Sequence, residues 1–153
     1  MHVKQCLIRS TDTLAAAFAE LSDAQPDLLL AFGDVRFFAD GGLAASLQAA
    51  FPDTALLGCS TAGEITADGV DDGTCTLTAV RFNQTTLTRG STRLQGMDDS
   101  FAAGERLGRQ IAAVNLKSVL IFGPGVQING SALVNGISSI IGIDIPITGG
   151  LAG

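Results

Sequence analysis

The run Leu56-Leu57-Gly58-Cys59-Ser60-Thr61-Ala62-Gly63-Glu64-Ile65 holds the residues best placed for chemistry. Gly58 and Gly63 have the G-x-x-x-x-G spacing of a phosphate-binding loop, but that loop continues with Lys and then Ser or Thr. Here Glu64 and Ile65 follow, and a carboxylate at that place repels phosphate, so nucleotide binding is not expected. The same run approaches the nucleophile elbow G-x-S-x-G, with Gly58 and Ser60 in place and Ala62 where the last glycine belongs. A serine or cysteine nucleophile needs a base, usually histidine. The single histidine is His2, at the start of the chain, so the sequence argues for binding and against triad catalysis.

Six small residues in a row let a ligand approach backbone N–H groups, and in α/β folds ligands gather at the C-terminal ends of strands. Cys59 reads either as a thiol at a pocket mouth, its pKa lowered where loop amides face it, or as a small inert thiol packed where nothing larger fits. Ser60 and Thr61 can hydrogen-bond a ligand or satisfy their own turn. Glu64 is a candidate ligand contact or a solvated, capping carboxylate. Arg36 is a candidate clamp for a carboxylate. Phe37 and Phe38 either wall an apolar ligand or anchor their loop, and Asn129 is expected to cap a helix. Gly149 and Gly150 offer close backbone approach.

The elements that position these residues follow from hydrophobic periodicity. A strand is read at residues 3–9, with Ser10 and Thr11 as cap candidates for a helix whose apolar face is Leu14, Ala17, Phe18 and Leu21. Residues 28–32 form a continuous apolar run of the kind found in strands covered on both faces. Leu43, Leu47 and Phe51 mark a second helix, and residues 54–57 form the strand leading into the small-residue run. Residues 74–82 and 85–89, both of β character, predict an antiparallel hairpin. Beyond it come a helix with Phe101, Leu107, Ile111 and Val114 inward, a strand at 118–122, a helix face of Leu133, Val134, Ile137, Ile140 and Ile141, and a strand at 143–147.

At a constant offset of 90, Leu30 falls on Leu120, Phe32-Gly33 on Phe122-Gly123, Leu43 on Leu133 and Ala62-Gly63 on Ala152-Gly153. The expected fold is α/β: a mixed sheet built from two similar strand-helix-strand-helix-strand halves, at 3–63 and 93–153, with an inserted antiparallel hairpin at 64–92. The whole of 1–153 reads as a single domain. Two equivalent small-residue loops, near Cys59 and near Gly149, would face one shared pocket.

Gly58-Cys59-Ser60-Thr61-Ala62-Gly63-Glu64-Ile65 resembles the signature of the FIST domain, and Gly149-Gly150-Leu151-Ala152-Gly153 resembles its second glycine-rich signature. The resemblance covers nearly the whole chain. It implies a ligand-sensing module of intracellular signal transduction proteins, found beside kinase, cyclase or chemotaxis-type output domains, with amino acids or other small acids as ligands. It implies binding, without turnover. Some relatives bind haem and report nitric oxide, which here would need His2 or a Cys59 thiolate as axial ligand. Family members continue into a C-terminal FIST region, so the chain is expected to be truncated at its C-terminus and to recruit a second copy as a homodimer.

Composition sets the outer bounds. With 153 residues, 46% of them hydrophobic, the chain can bury one substantial core. Lys and Arg number 9 against 15 Asp and Glu, a formal charge of −6, which argues against nucleic acid or an anionic membrane as partner. No apolar run approaches the ~20 residues of a membrane helix and residues 1–6 lack a signal-peptide layout, so a cytoplasmic location is expected. Cys6, Cys59 and Cys75 are odd in number and irregularly spaced, as befits reduced thiols.

Overall fold

A computed structural model describes residues 1–10, 13–67 and 69–153, so the cap candidate Thr11 lies outside the described residues. The chain divides into two compact units, residues 1–87 together with Gly153, and residues 88–152.

The first unit is built on a four-stranded mixed sheet. Its elements run β1 (His2–Ile8), α1 (Leu14–Ser22), β2 (Leu28–Gly33), a short 3-10 turn (Val35–Phe37), α2 (Gly42–Ala50), β3 (Ala55–Ser60), β4 (Glu64–Thr66), β5 (Gly69–Asp71) and β6 (Cys75–Arg81). The strand order is β1-β6-β2-β3, with β2 and β3 parallel and β6 antiparallel to both β1 and β2. The α/β class and the mixed sheet therefore hold.

The hairpin is arranged differently from the sequence reading. Residues 85–89 form no strand, and residues 75–81 leave the insert to enter the main sheet between β1 and β2. The antiparallel hairpin is β4 with β5, Ile65 opposite Val70. The reason is burial: β6 carries Cys75, Leu77 and Ala79, all fully buried, and a two-stranded ribbon cannot cover such a face.

One face of this sheet carries the core. Alternation along the strands sends Ile8, Leu29, Ala31, Cys75, Leu77 and Ala79 inward, where Ala17 and Leu21 of α1 and Leu43 and Leu47 of α2 meet them, with Phe51 just beyond α2. Both helix faces match their periodicity. Phe18 and Phe51 close one end of the core edge to face, centroids 5.8 Å apart at 77°. On the opposite face of β2, Leu28, Leu30 and Phe32 are half-buried.

The second unit contains a 3-10 turn (Met97–Asp99), α3 (Ser100–Ile111), β7 (Val119–Gly123), α4 (Gly130–Ile141) and β8 (Ile147–Leu151), with β7 and β8 parallel. Among the described residues of this unit no strand precedes α3. Side chains of α3 hold the peptide groups there instead: the Gln110 amide accepts from the Ser91 N–H and donates to its carbonyl (3.1 and 3.0 Å), while Arg106 donates to the Arg93 carbonyl (2.9 Å).

The inward face of α3 also differs. Ile111 is buried, but Phe101 is about half exposed and Val114, beyond the helix end, is fully exposed. The buried stripe is Ser100, Ala103, Gly104, Gly108 and Ile111. A β-carbon on Gly104 would collide with the Leu133 carbonyl of α4, and one on Gly136 with the Phe101 carbonyl of α3. The helices thus pack backbone to backbone, and small residues mark the seam where large apolar ones were expected. On α4, Leu133 and Ile137 are buried as expected, whereas Val134 faces outward.

Candidate functional site

Half of the small-residue run belongs to the strand, and only Thr61 to Gly63 form the connection after it. Gly58, Cys59 and Ser60 are the last residues of β3, and Gly149 and Gly150 lie within β8, which begins at Ile147 instead of Ile143. Register explains the two glycines. Gly58 stands opposite Ala31 on β2, and Gly149 opposite Ile121 on β7. A β-carbon on either would collide with the carbonyl oxygen of that opposite residue, so only glycine fits. Ala31 and Ile121 are 90 positions apart (121 − 31), while the glycines are 91 apart (149 − 58). The two glycine positions, compared through their strand partners, thus differ by one residue from the ungapped offset.

At the C-terminal end of β2 and β3, Gly33 pairs with Ser60 and, on its other side, with Cys75. Thr61 follows directly, its N–H donating to the Gly33 carbonyl (2.9 Å). Arg36 sits in the 3-10 turn that leaves β2, entered through Asp34, whose carboxylate accepts from the Arg36 N–H (2.9 Å). The Arg36 guanidinium lies 5.4 Å from the Phe37 ring centroid and donates through Nη2 to the Gly73 carbonyl. Its Nε also lies 3.9 Å from Asp34 Oδ1, a loose ion pair, and its side chain is 60% exposed. The fold therefore brings Arg36, Ser60, Thr61 and Glu64 to one strand end. Phe37 is buried and Phe38 packs on the core, so both anchor the turn.

Glu64 is the surprise of this region, being only 2% exposed. Its Oε1 accepts from Thr61 Oγ1 (2.7 Å), and its Oε2 accepts from Thr74 Oγ1 (2.7 Å) and from the Thr74 N–H (3.2 Å). A buried carboxylate is tolerable because these donors replace water. The protein's own groups occupy both oxygens, which makes Glu64 a brace between the end of β3 and the start of β6. Thr74, equally buried, was not singled out from the sequence; nothing in its spacing marks a threonine ahead of a strand. Ser60 Oγ donates to the Gly153 carbonyl (2.7 Å), Gly153 being grouped with the first unit.

Burial raises the Cys59 thiol above its ordinary range, so it stays protonated. Cys6 is pushed up to about 11 by burial and by Glu20, and Cys75 to about 12 by burial and the nearby Glu64 carboxylate. None of the three is an activated thiolate. Haem does not fit these residues: Cys59 disfavours the thiolate form, and His2 is exposed at the outer end of β1, the opposite edge strand of the sheet from β3. Among the described residues no group of His, Cys, Asp and Glu has a metal-holding arrangement, and no helix is long and apolar enough to cross a membrane.

In the second unit Asn129 caps α4 as expected, its Oδ1 accepting from the Ala132 N–H (3.0 Å). A shallow depression of about 350 Å³ lies at the other end of β2 and β3, bounded by Gln25, Pro26, Phe51, Thr54 and Arg81. Its one cation is already paired, since Arg81 Nη1 donates to Asp27 (2.8 Å).

Compared with curated proteins, the sequence matches none. The family model for the FIST N domain matches residues 27–153, from the start of β2 to the end of β8 and beyond. The match includes both glycine-bearing strands, the buried glutamate and both parallel strand pairs. FIST domains are, as a family, sensory domains of signalling proteins. By a match over most of its length, the chain belongs to the FIST N domain family.

Proposed function

We propose that the chain is a small-ligand-binding sensory domain whose ligand is an amino acid or another small carboxylic acid. The supporting observation is the convergence of Arg36, Ser60 and Thr61 on the C-terminal end of the parallel β2–β3 pair. There a solvent-facing guanidinium supplies a carboxylate partner, and the backbone from Ser60 to Gly63 carries side chains too small to fend off a ligand. By register Gly149 and Gly150 take the places of Gly58 and Cys59 in the parallel pair of the second unit. Binding is, in this reading, not followed by turnover: the single imidazole stands on the far edge strand and burial raises the Cys59 thiol, which leaves no histidine beside an activated nucleophile among the described residues. In this reading the domain works in the cytoplasm, with a C-terminal FIST region and an output domain or partner protein receiving the signal.

Thermal-shift screening against amino acids, small carboxylates and haem tests the reading. A ligand at ~100 times its dissociation constant adds about 2.7 kcal/mol of stability. A carboxylate-bearing compound should raise Tm in the parent and fail to do so in Arg36→Ala. No shift with any amino acid or carboxylate would sink the proposal, and a shift with haem alone would replace it.

A further inference from the structure

We infer that Thr74 is a positioning residue for the strand-end edge, acting through Glu64 and Asp34 without touching the ligand; the inference rests on the ligand reading above. Thr74 is 2% exposed and sits immediately before β6. Its Oγ1 and N–H both donate to Glu64 Oε2, and its carbonyl accepts from the Asp34 N–H (2.8 Å). From this one residue two chains of hydrogen bonds run out. Through Glu64 Oε1 the first reaches the Thr61 hydroxyl (2.7 Å). Through Asp34, whose Oδ1 accepts from the Arg36 N–H, the second reaches the turn that carries the guanidinium.

Thr61 and Arg36 lie on different connections, one after β3 and one after β2. Beyond the last rung, Gly33 with Ser60, the strand pair ties the two connections only through the Thr61 N–H on the Gly33 carbonyl. The buried threonine supplies a second, side-chain reference. Its side chain is suited to the task because a hydroxyl can donate to a carboxylate while its methyl group stays in apolar surroundings, and the donation to an ionised acceptor is among the stronger hydrogen bonds. Valine has the same shape without the donor, and serine keeps the donor without the methyl. The pair therefore separates positioning from packing.

The test is amide hydrogen exchange on the full chain for the parent, Thr74→Val and Thr74→Ser, with binding of the amino-acid and carboxylate panel measured beside it. In Thr74→Val, peptides spanning residues 60–66 should exchange about tenfold faster, as expected for a lost hydrogen bond to a charged acceptor, while peptides spanning 34–38, held by the Thr74 carbonyl that valine keeps, should change less. Peptides of β7 and β8 should be unchanged, and Thr74→Ser should restore the parent pattern. Any panel compound that binds the parent should bind Thr74→Val at least about tenfold more weakly and Thr74→Ser nearly as well. Unchanged exchange in Thr74→Val, a uniform acceleration across all of residues 1–87, or failure of Thr74→Ser to restore protection would each overturn the assignment. If no panel compound binds the parent, the ligand reading falls, and the exchange pattern still decides whether the Thr74 hydroxyl positions the connection after β3.

Discussion

Arg106 grips Asp99 with both ends of its guanidinium, Nη1 donating to Oδ1 (2.9 Å) and Nη2 to Oδ2 (2.7 Å). The arginine also donates to Thr92 Oγ1 (2.9 Å), so the pair fastens the segment before α3 onto that helix. These hydrogen bonds hold the Asp99 carboxyl down at about 2. A depressed carboxylate contributes stability above its unfolded pKa of about 4 and loses it as pH falls through the folded value. The acid limb of the stability curve of the parent should therefore steepen between pH 4 and pH 2. Asp99→Asn should flatten that limb, as followed by circular dichroism on acid titration.

Removing the Glu64 brace should be costly. Glu64→Ala leaves a buried N–H and two hydroxyls without their acceptor, and each orphaned group costs about 1–3 kcal/mol. Urea unfolding should show a total loss of about 3 kcal/mol or more. Glu64→Gln, which keeps one acceptor oxygen, should lose less. An effect within experimental error for Glu64→Ala would mean that the carboxylate is not buried as described.

The two adjacent glycines of β8 should behave oppositely. Gly149→Ala drives a methyl group into the Ile121 carbonyl and forces a side chain onto a φ of +145°, whereas a β-carbon on Gly150 meets nothing within 4 Å. Gly149→Ala, and likewise Gly58→Ala on β3, should cost about 2 kcal/mol or more. Gly150→Ala should fall within about 0.5 kcal/mol of the parent in the same denaturation experiment.

The helix seam gives a parallel case without strand register. Gly104→Ala or Gly136→Ala must push α3 and α4 apart, because the atoms in the way are backbone carbonyls and not the flexible tips of side chains. Loss of about 3 kcal/mol is expected, near the upper end for overpacked sites. Phe101→Ala, on the outward face of the same helix, should cost far less, and calorimetry of the three variants would show the order.

Thiol chemistry follows from burial. At neutral pH Cys59 should react with a disulfide reagent more slowly than free cysteine, and the fully buried Cys75 more slowly still. Raised thiol pKa values leave stability intact below the ordinary value of 9.0 and remove it as pH climbs toward 11 for Cys6 and 12 for Cys75. Urea midpoints measured at pH 8 and pH 10.5 should therefore fall in the parent, and fall less in Cys75→Ala.

Periodicity made α1 and α2 legible, since their inward residues are large and apolar at helical spacing. It misled at α3, where a counting rule that rewards Phe101 and Val114 is blind to Gly104 and Gly108, the residues on which the helix packs. Strand ends were misplaced for a related reason: Gly58, Gly149 and Gly150 lack the bulk that signals a strand, although two strands need one of them for close approach. The partner of β6 was invisible because pairing over a long separation leaves no local trace. Glu64 reads from the sequence as a ligand contact or a solvated or backbone-capping carboxylate; it does accept a backbone N–H, but its burial is not legible because the donors lie across a turn and a short hairpin, and Thr74 cannot be assigned to that task without coordinates.

The position of β6 between β1 and β2 constrains how the first unit can be made. His2 is paired with Arg81, so the edge strand β1 finds its neighbour only after nearly eighty more residues have been joined (81 − 2 = 79). Closing so long a loop precedes any reward from contact, and folds dominated by such pairings fold slowly. Until β6 emerges, the parallel β2–β3 pair presents an open, apolar edge in the nascent chain. That edge closes only when residues 75–81 are available to pair with β2.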